Sequence, residues 1–568
     1  MRTTRSRVAL ALAAGLTLSM LATSAGAHAE RDTVFPDGKG SVPKYRPMVA
    51  EPNLVVCKDD SRARIMDISD RQLRTINLKL LAKCEFEHIQ DAVFHLRKPG
   101  STIYVLPGVY KEDPYRAQPK CAEELAQDDN QGAGKGSEEA RNAPVLSYEE
   151  QLQCPHAQNL IGIFGDQKPN DDKRECNGPA CDLQIEGTGE TPGDVLITGG
   201  FKKDGDWMKL NGIRADRADG IYLKNFMIEL FEFNATYILE TDGFVVDEVV
   251  ARYNDEYGFL TFAVDHGLYK NCEAYNTGDA GLYPGSASDV NSDKEEYGQL
   301  ERWAVEIVNC DSHHNGAGYS GTAGNSVYVH DSKFHHNSLG LVTDSIFPNH
   351  PGFPQDHGRY EDNLVYSNNV NYFGNVHDGT CDAPPAERGY KPAPGEPLTS
   401  GMVCPVGPYP VGTGMIIAGG NWNLFRNNQV WDNWRSGFTL ISVPAAIRED
   451  YGPDAQFDTS HFNKIVGNVM GFNLKGAEDL NGVDFWWDDT GEGNCWERNT
   501  GTGEDGAVTH NAMDPRGLPD CESGGSIGLP ANAYKQGPLV PCATYDRSDP
   551  IFRDPPGCDF YDTPEEPE

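Results

Sequence analysis

Apolar and polar positions along the chain fall into short runs that close on Asn and are followed within a few residues by Gly. Ala251-Arg252-Tyr253-Asn254 precedes Gly258, Ala274-Tyr275-Asn276 precedes Gly281, Ser312-His313-His314-Asn315 precedes Gly318, and Phe334-His335-His336-Asn337 precedes Gly340. The signature recurs at Asn433 with Gly437 and more weakly at Asn234, Asn368 and Asn473. Successive Asn residues are 20, 22, 39, 22, 31, 65 and 40 residues apart, which gives a base period of about 22. A period of that length without helical patterning predicts an all-β right-handed parallel β-helix with three short strands per coil; leucine-rich repeats share the length but need a Leu lattice that is absent. The longer steps are a coil plus a loop, or two coils of which one is degenerate. Insertions in such solenoids leave at turns and commonly build the binding face.

Stacking puts equivalent positions about 4.8 Å apart, so columns can be read from the repeat. The Asn column reads as a ladder of side-chain amides, since Asn tolerates the left-handed turn and its amide bonds above and below. Cys272 and Cys310 follow Asn271 and Asn309 and should stack as buried thiols or a cross-coil disulfide. Asp219-Gly220, Asp242-Gly243 and Asp265-His266-Gly267 read as turn residues, with a bound cation the less favoured reading.

Before the repeats, Phe86, Ile89, Val93 and Leu96 are spaced for one helical face and Pro99-Gly100 stops the run, which predicts a helix over Phe86 to Leu96. The alternating Ser101 to Tyr110 predicts a first strand. An amphipathic helix covers the open apolar end of a solenoid. The chain then divides into a leader (1–29), an N-terminal segment and helical cap (30–110), a cysteine-bearing excursion (111–200), the coils (201–480, with an insertion at 375–411) and a Pro/Gly/Cys-rich C-terminal wrap (481–568).

Composition narrows the partners. The 568 residues carry a formal charge of -37, from Asp+Glu 85 against Lys+Arg 48. Such a surface repels nucleic acid and anionic membranes, so neither is an expected partner. Arg2, Arg5 and Arg7, the apolar stretch Val8 to Ala22 and the small residues Ala25-Gly26-Ala27 form a secretory signal peptide, with cleavage after Ala27 or Ala29. No later apolar run is long enough for a membrane span. Fourteen cysteines without a paired Cys-x-x-Cys zinc pattern read as disulfides of an oxidising compartment, secreted or periplasmic, with the pairing left open.

Particular segments sharpen this picture. The helix followed by Ser101 to Tyr110 resembles the entry segment of pectin-lyase-like β-helix proteins. Glu256 to Cys272, Gly278 to Asp289, Pro351 to Gly358 and Pro410 to Asn421 resemble a family of exported parallel β-helix-repeat proteins of unestablished activity. The likeness spans roughly 85 to 475, with long cysteine-bearing insertions as the departure. It implies the fold and an exported location but no reaction; superfamily relatives include polysaccharide lyases, epimerases and glycosidases. The Asn-Thr-Asp, Asp-Asp, Gly-His-Gly and Arg-Ile-Lys set of polygalacturonases is not assembled.

Aligning coils on the Gly places Glu256 and Asp279 two residues before it in adjacent coils. Two carboxylates one strand apart repel, and one should hold its proton more tightly, as acid/base work requires; a spacing near 5 Å would favour retention in glycoside hydrolysis. Asp344 and Tyr283 leave the same corner and, with Asp255, would line one edge of a groove. Tyr283 would serve as an acid or a stacking platform. His313-His314 and His335-His336 stack 22 residues apart, and since neighbours on a strand face opposite ways, His314 and His336 are the candidate metal ligands. Lys224, Lys270, His330 and Arg426 form a sparse basic column of the kind a β-eliminating lyase uses, commonly with Ca²⁺ neutralising the substrate carboxylate. Trp422, Trp431, Trp434, Trp486 and Trp487 offer faces for sugar rings. The leading expectation is a secreted carbohydrate-active protein that cleaves or epimerises a neutral or cation-bridged polysaccharide. The alternatives are a non-catalytic glycan-binding or surface-scaffold β-helix and an exported metal-handling protein.

Overall fold

The computed structural model describes residues 31–48, 54–112, 146–169, 174–294, 300, 302–346, 350–389, 403–407, 409–443, 460–513, 517–529 and 535. The signal peptide and the last part of the C-terminal wrap, from 530 on except 535, lie outside the described residues. The chain is a right-handed parallel β-helix, in which 29 strands join one hydrogen-bonded network. One coil comprises Val305–Val308, Asp311–His313 and Ala317–Thr322, and the next comprises Val327–His330, Lys333–His335 and Leu339–Asp344. The first, second and third strands of each coil pair in parallel with their counterparts, Val305 with Val327, Asp311 with Lys333 and Ala317 with Leu339. Three parallel sheets result. Val305, Ile307, Phe334, Leu341 and Phe425 from different coils fill the interior between them.

The stacked strands extend beyond 201–480 on both sides. Leu54–Val56 pairs with Thr102–Val105, which pairs with Gln184–Gly187, so coils run through the segment expected to be an excursion. At the far end Cys495–Glu497 still pairs with Lys464–Val466. Gln184–Gly187 and Val195–Thr198 carry no Asn-Gly signature, which is why the period missed them. The cap helix is Ile89–Phe94, shorter than expected, and it buries Ile89, Ala92 and Val93 against the first coils. Two further helices, Ser61–Asp67 and Arg71–Leu81, pack with Tyr104 and Leu106. Asp70 caps the second of these by accepting from the amides of Gln72 and Leu73.

The Asn ladder is real, but its membership differs from the expected column at Asn276, Asn234 and Asn473. Backbone N–H groups donate to the next coil's amide oxygen in series: Thr277 to Asn315 at 3.0 Å, Asn315 to Asn337 at 2.9 Å, Asn337 to Asn368 at 3.3 Å and Asn368 to Asn433 at 3.2 Å. Tyr275 pairs with His313, so Asn276 stands level with His314 and Thr277 takes the ladder position. Asn276, His314 and His336 share left-handed φ values of 56°, 56° and 54°. Asn234 belongs to a different ladder, donating to Asn211, which donates to Asn159. Asn481 rather than Asn473 follows Asn433. A further ladder runs through Asn363, Asn428, Asn468 and Asn499. Each rung satisfies a buried turn amide that would otherwise cost about 1–3 kcal/mol.

Among the described residues every cysteine is disulfide-bonded. Cys272 and Cys310 form the cross-coil bridge; the other pairs with both members described are Cys57–Cys84, Cys176–Cys181, Cys381–Cys404 and Cys495–Cys521. No helix among these residues is long and apolar enough to cross a membrane.

Candidate functional site

Glu256 and Asp279 lie in adjacent coils at the turn from the second sheet into the third. The pairing of Phe259 with Leu282 sets that register, and the amide of Asp279 donates to the carbonyl of Glu256 at 2.9 Å. Both side chains are enclosed, with exposures of 1% and 9%. Tyr409, from the 375–411 insertion, donates its hydroxyl to Oδ1 of Asp279. The Tyr257 and Tyr283 rings pack beside them with centroids 4.7 Å apart. Burial, then the Asp279 carboxylate, drives the Tyr257 and Tyr409 hydroxyls well above the usual phenol range, with Glu256 and Tyr283 adding to the effect. These phenols stay protonated, and that of Tyr409 serves as a donor to Asp279.

The Tyr283 hydroxyl and Nε2 of His350 are 3.0 Å apart, a phenol–imidazole pair on the outer face of the third sheet. Asp344 ends a strand of the same sheet; its Oδ1 accepts from the Thr322 hydroxyl at 2.8 Å and from the Ile346 amide at 3.0 Å. Burial pushes Asp344 up to about 6, and the Asp279 charge adds to the rise. Asp255 turns to the insertion, where Arg388 donates to its Oδ1 at 3.1 Å. The insertion is drawn in further at Gly278, where a Cβ would lie 2.3 Å from the carbonyl oxygens of both Asp255 and Cys404. The expected open groove edge is thus covered: the repeat supplies the acids, and Tyr409 and Arg388 from the insertion bond to Asp279 and Asp255. Sequence reasoning missed Tyr409, Arg388 and His350 because none of them has a repeat position from which its place could be inferred.

The other columns resolve differently. Lys224 and Lys270 both pair with Asp247, at 3.0 and 3.3 Å, and Arg426 pairs with Glu361 at 2.9 Å. The basic column therefore alternates with acids, and it stands on the first sheet, away from Glu256 and Asp279. Asp242 meets Nδ1 of His266 at 2.6 Å and Asp265 holds the Arg302 guanidinium at 2.8 Å, so side chains of the protein occupy these two turns. His313 and His335 continue a stack with Tyr275, Tyr366 and Trp431, at centroid separations of 5.0, 5.1, 4.7 and 4.4 Å along the series. His314 and His336 form a parallel stack at 5.4 Å, each with Nδ1 2.8 Å from Nδ1 of its chain neighbour. Burial, then the adjoining His313, pushes His314 down to about 4. Nδ1 of each candidate ligand is thereby engaged with another imidazole. Trp487 is interior, Trp422 stacks on Phe462 at 4.4 Å, and Trp434 lies against Gly412.

The stacked three-strand coils define the chain as a right-handed parallel β-helix, with the enclosed acids at one of its turns. No family model matches the chain, and no curated protein matches it in sequence. Among solved structures, the A-module of the Azotobacter vinelandii mannuronan C-5 epimerase AlgE6 is similar at 12% identity, covering 79% of this chain and 97% of that one with a TM-score of 0.37. The periplasmic alginate epimerase AlgG is similar at 12% identity over 57% of this chain and 61% of that one, TM-score 0.36. Pectate lyase Pel9A is similar at 11% identity over 76% and 74%, TM-score 0.30.

Proposed function

We propose that this is an exported carbohydrate-active protein that cleaves or epimerises a polysaccharide, with Glu256 and Asp279 as its acid/base pair. The observation that carries this reading is the juxtaposition of two enclosed carboxylates from adjacent coils with the Tyr283–His350 pair on the same sheet. One carboxyl gives a proton to the reacting sugar while the other accepts one, and the phenol–imidazole pair relays protons beside them. Tyr409 covers Asp279, so the reacting sugar must displace its ring. The net charge of -37 favours a neutral glycan or one bridged by Ca²⁺. Disulfides that lock the cap, the coils and the insertion suit a secreted or periplasmic location.

The test is product formation on a polysaccharide panel, reading ultraviolet absorbance for unsaturated ends and proton NMR for cleaved or epimerised residues. Glu256→Gln and Asp279→Asn should each lower turnover by about 10²–10⁴-fold with the circular dichroism spectrum unchanged. Wild-type turnover in both variants would overturn the assignment.

A second reading rests on the half-buried strip Tyr275, His313, His335 and Tyr366 on the second sheet, whose stacked rings form a flat platform for sugars. Glycan retention without product, lost in Tyr366→Ala, would favour binding over catalysis.

A further inference from the structure

At the turn from the third sheet back to the first, Asp289, Asp356 and His357 bring one ligating atom each to within 4.8 Å of one another. Asp289 follows the strand Ala280–Ala287, whose other end begins next to Asp279, so this cluster is a strand length away from the proposed acid pair. His357 is 3% exposed. Oδ1 of Asp289, Oδ1 of Asp356 and Nδ1 of His357 are all sealed from solvent, and the last two pair with each other.

The imidazole is set up as a ligand. Its Nε2 lies 2.8 Å from the carbonyl oxygen of Lys294, an acceptor only, so the Nε2 proton is fixed there. In the neutral ring Nδ1 then presents a lone pair, and it does so 2.9 Å from Oδ1 of Asp356. A proton on Nδ1 would satisfy that contact as an ion pair, and a divalent cation drawn to both carboxylates and the ring nitrogen takes the place of that proton. Adjacent residues on an extended strand diverge; here His357 adopts φ 53°, which turns its ring to the side of Asp356. The frame is also held: the Asp356 amide donates to Oδ1 of Asn325 at 2.9 Å, its carbonyl accepts from the Ser326 amide at 3.0 Å, and the His357 amide donates to the Asn421 carbonyl at 3.1 Å.

We infer that Asp289, Asp356 and His357 form a binding site for a divalent first-row transition ion, Zn²⁺ or Mn²⁺, that pins the 288–294 loop to the turn entering Arg359–Glu361. One imidazole and two carboxylates suit these ions, whereas Ca²⁺ takes six to eight oxygens and no nitrogen. The site replaces His314 and His336 as the chain's metal centre.

The full chain, stripped with a chelator and dialysed, is titrated with ZnCl₂ or MnCl₂ and followed by elemental analysis, calorimetry and thermal unfolding. One ion per chain is expected, with a rise of several degrees in Tm. His357→Gln and Asp289→Asn should weaken binding at least tenfold, and His314→Gln should leave it unchanged. Should the site variants not fold, Mn²⁺ added to wild type should broaden the His357 ring protons before those of His314 and His336. No retained ion and no Tm change at millimolar metal, tighter binding of Ca²⁺ than of either ion, undiminished binding in the two site variants, or earlier broadening at His314 would each overturn the assignment.

Discussion

The hydroxyl of Tyr409 donates to Oδ1 of Asp279, so a side chain from a loop without repeat character caps a carboxylate that the repeat itself positions. Tyr409→Phe keeps the ring over the pocket and removes only that donor. A hydrogen bond to a charged group contributes about 1.5–3 kcal/mol, and urea unfolding of Tyr409→Phe should show a loss of that size. An unchanged midpoint would mean that the bond contributes nothing to the fold.

Arg388 and Asp255 join the same insertion to the coils through a buried ion pair, with side-chain exposures of 5% and 1%. Arg388→Met removes the guanidinium and leaves the carboxylate in the interior, which should cost roughly 3–5 kcal/mol. Adding Asp255→Asn in the Arg388→Met background should recover part of that loss. A double-mutant cycle in denaturant measures the coupling, and strictly additive costs would rule out a direct role for the pair.

The ladder makes a sharper demand. Asn337 accepts from the Asn315 amide and donates to the Ser312 carbonyl at 3.1 Å and to Asn368 at 3.0 Å. Asn337→Leu leaves a buried N–H and a buried C=O unsatisfied, so stability should fall by roughly 2–6 kcal/mol. A loss under 1 kcal/mol would demote the ladder to ornament.

Asn337 also shows what the sequence made legible. A ladder Asn must recur at the coil period, so Asn315, Asn337, Asn368 and Asn433 were readable, and with them the stacking and the adjacency of Glu256 and Asp279. Asn276 was misread because Asn is favoured both in the left-handed turn and in the ladder; only strand pairing separates it from Thr277. The first coils lacked the signature altogether. Tyr409, Arg388, His350 and the Asp289–Asp356–His357 cluster are brought in by loops of no fixed period, and their positions depend on tertiary packing that periodicity does not encode.

His314 provides a pH test on the second sheet. Burial, then the adjoining His313, pushes it down to about 4, so the unfolded chain takes up a proton at higher pH than the fold does. The folded state is therefore favoured above about 6.5 and loses that advantage as the pH falls toward 4. His314→Asn suits the left-handed backbone and removes the titration. Its unfolding midpoint should decline less than wild type between pH 7 and pH 4, and an identical decline would remove His314 as the cause.

Asp344 titrates in the opposite sense. Its carboxyl is pushed up from 3.8 to about 6, chiefly by burial, with the Asp279 charge adding to the rise. Below about 4 the folded and unfolded chains both carry the proton and Asp344 costs nothing. As pH rises toward 6 the unfolded chain releases its proton first, so stability falls; above 6 the penalty is complete, on the order of 3 kcal/mol at 1.36 kcal/mol per unit. Asparagine keeps the Oδ1 that accepts from Thr322 and Ile346 but carries no charge. Asp344→Asn should therefore be more stable than wild type at pH 7 and close to it at pH 4, measured by denaturant unfolding at both values. A variant that is less stable at pH 7 would show that the ionised carboxylate is matched to its surroundings, and that burial beside Asp279 does not disfavour its charge.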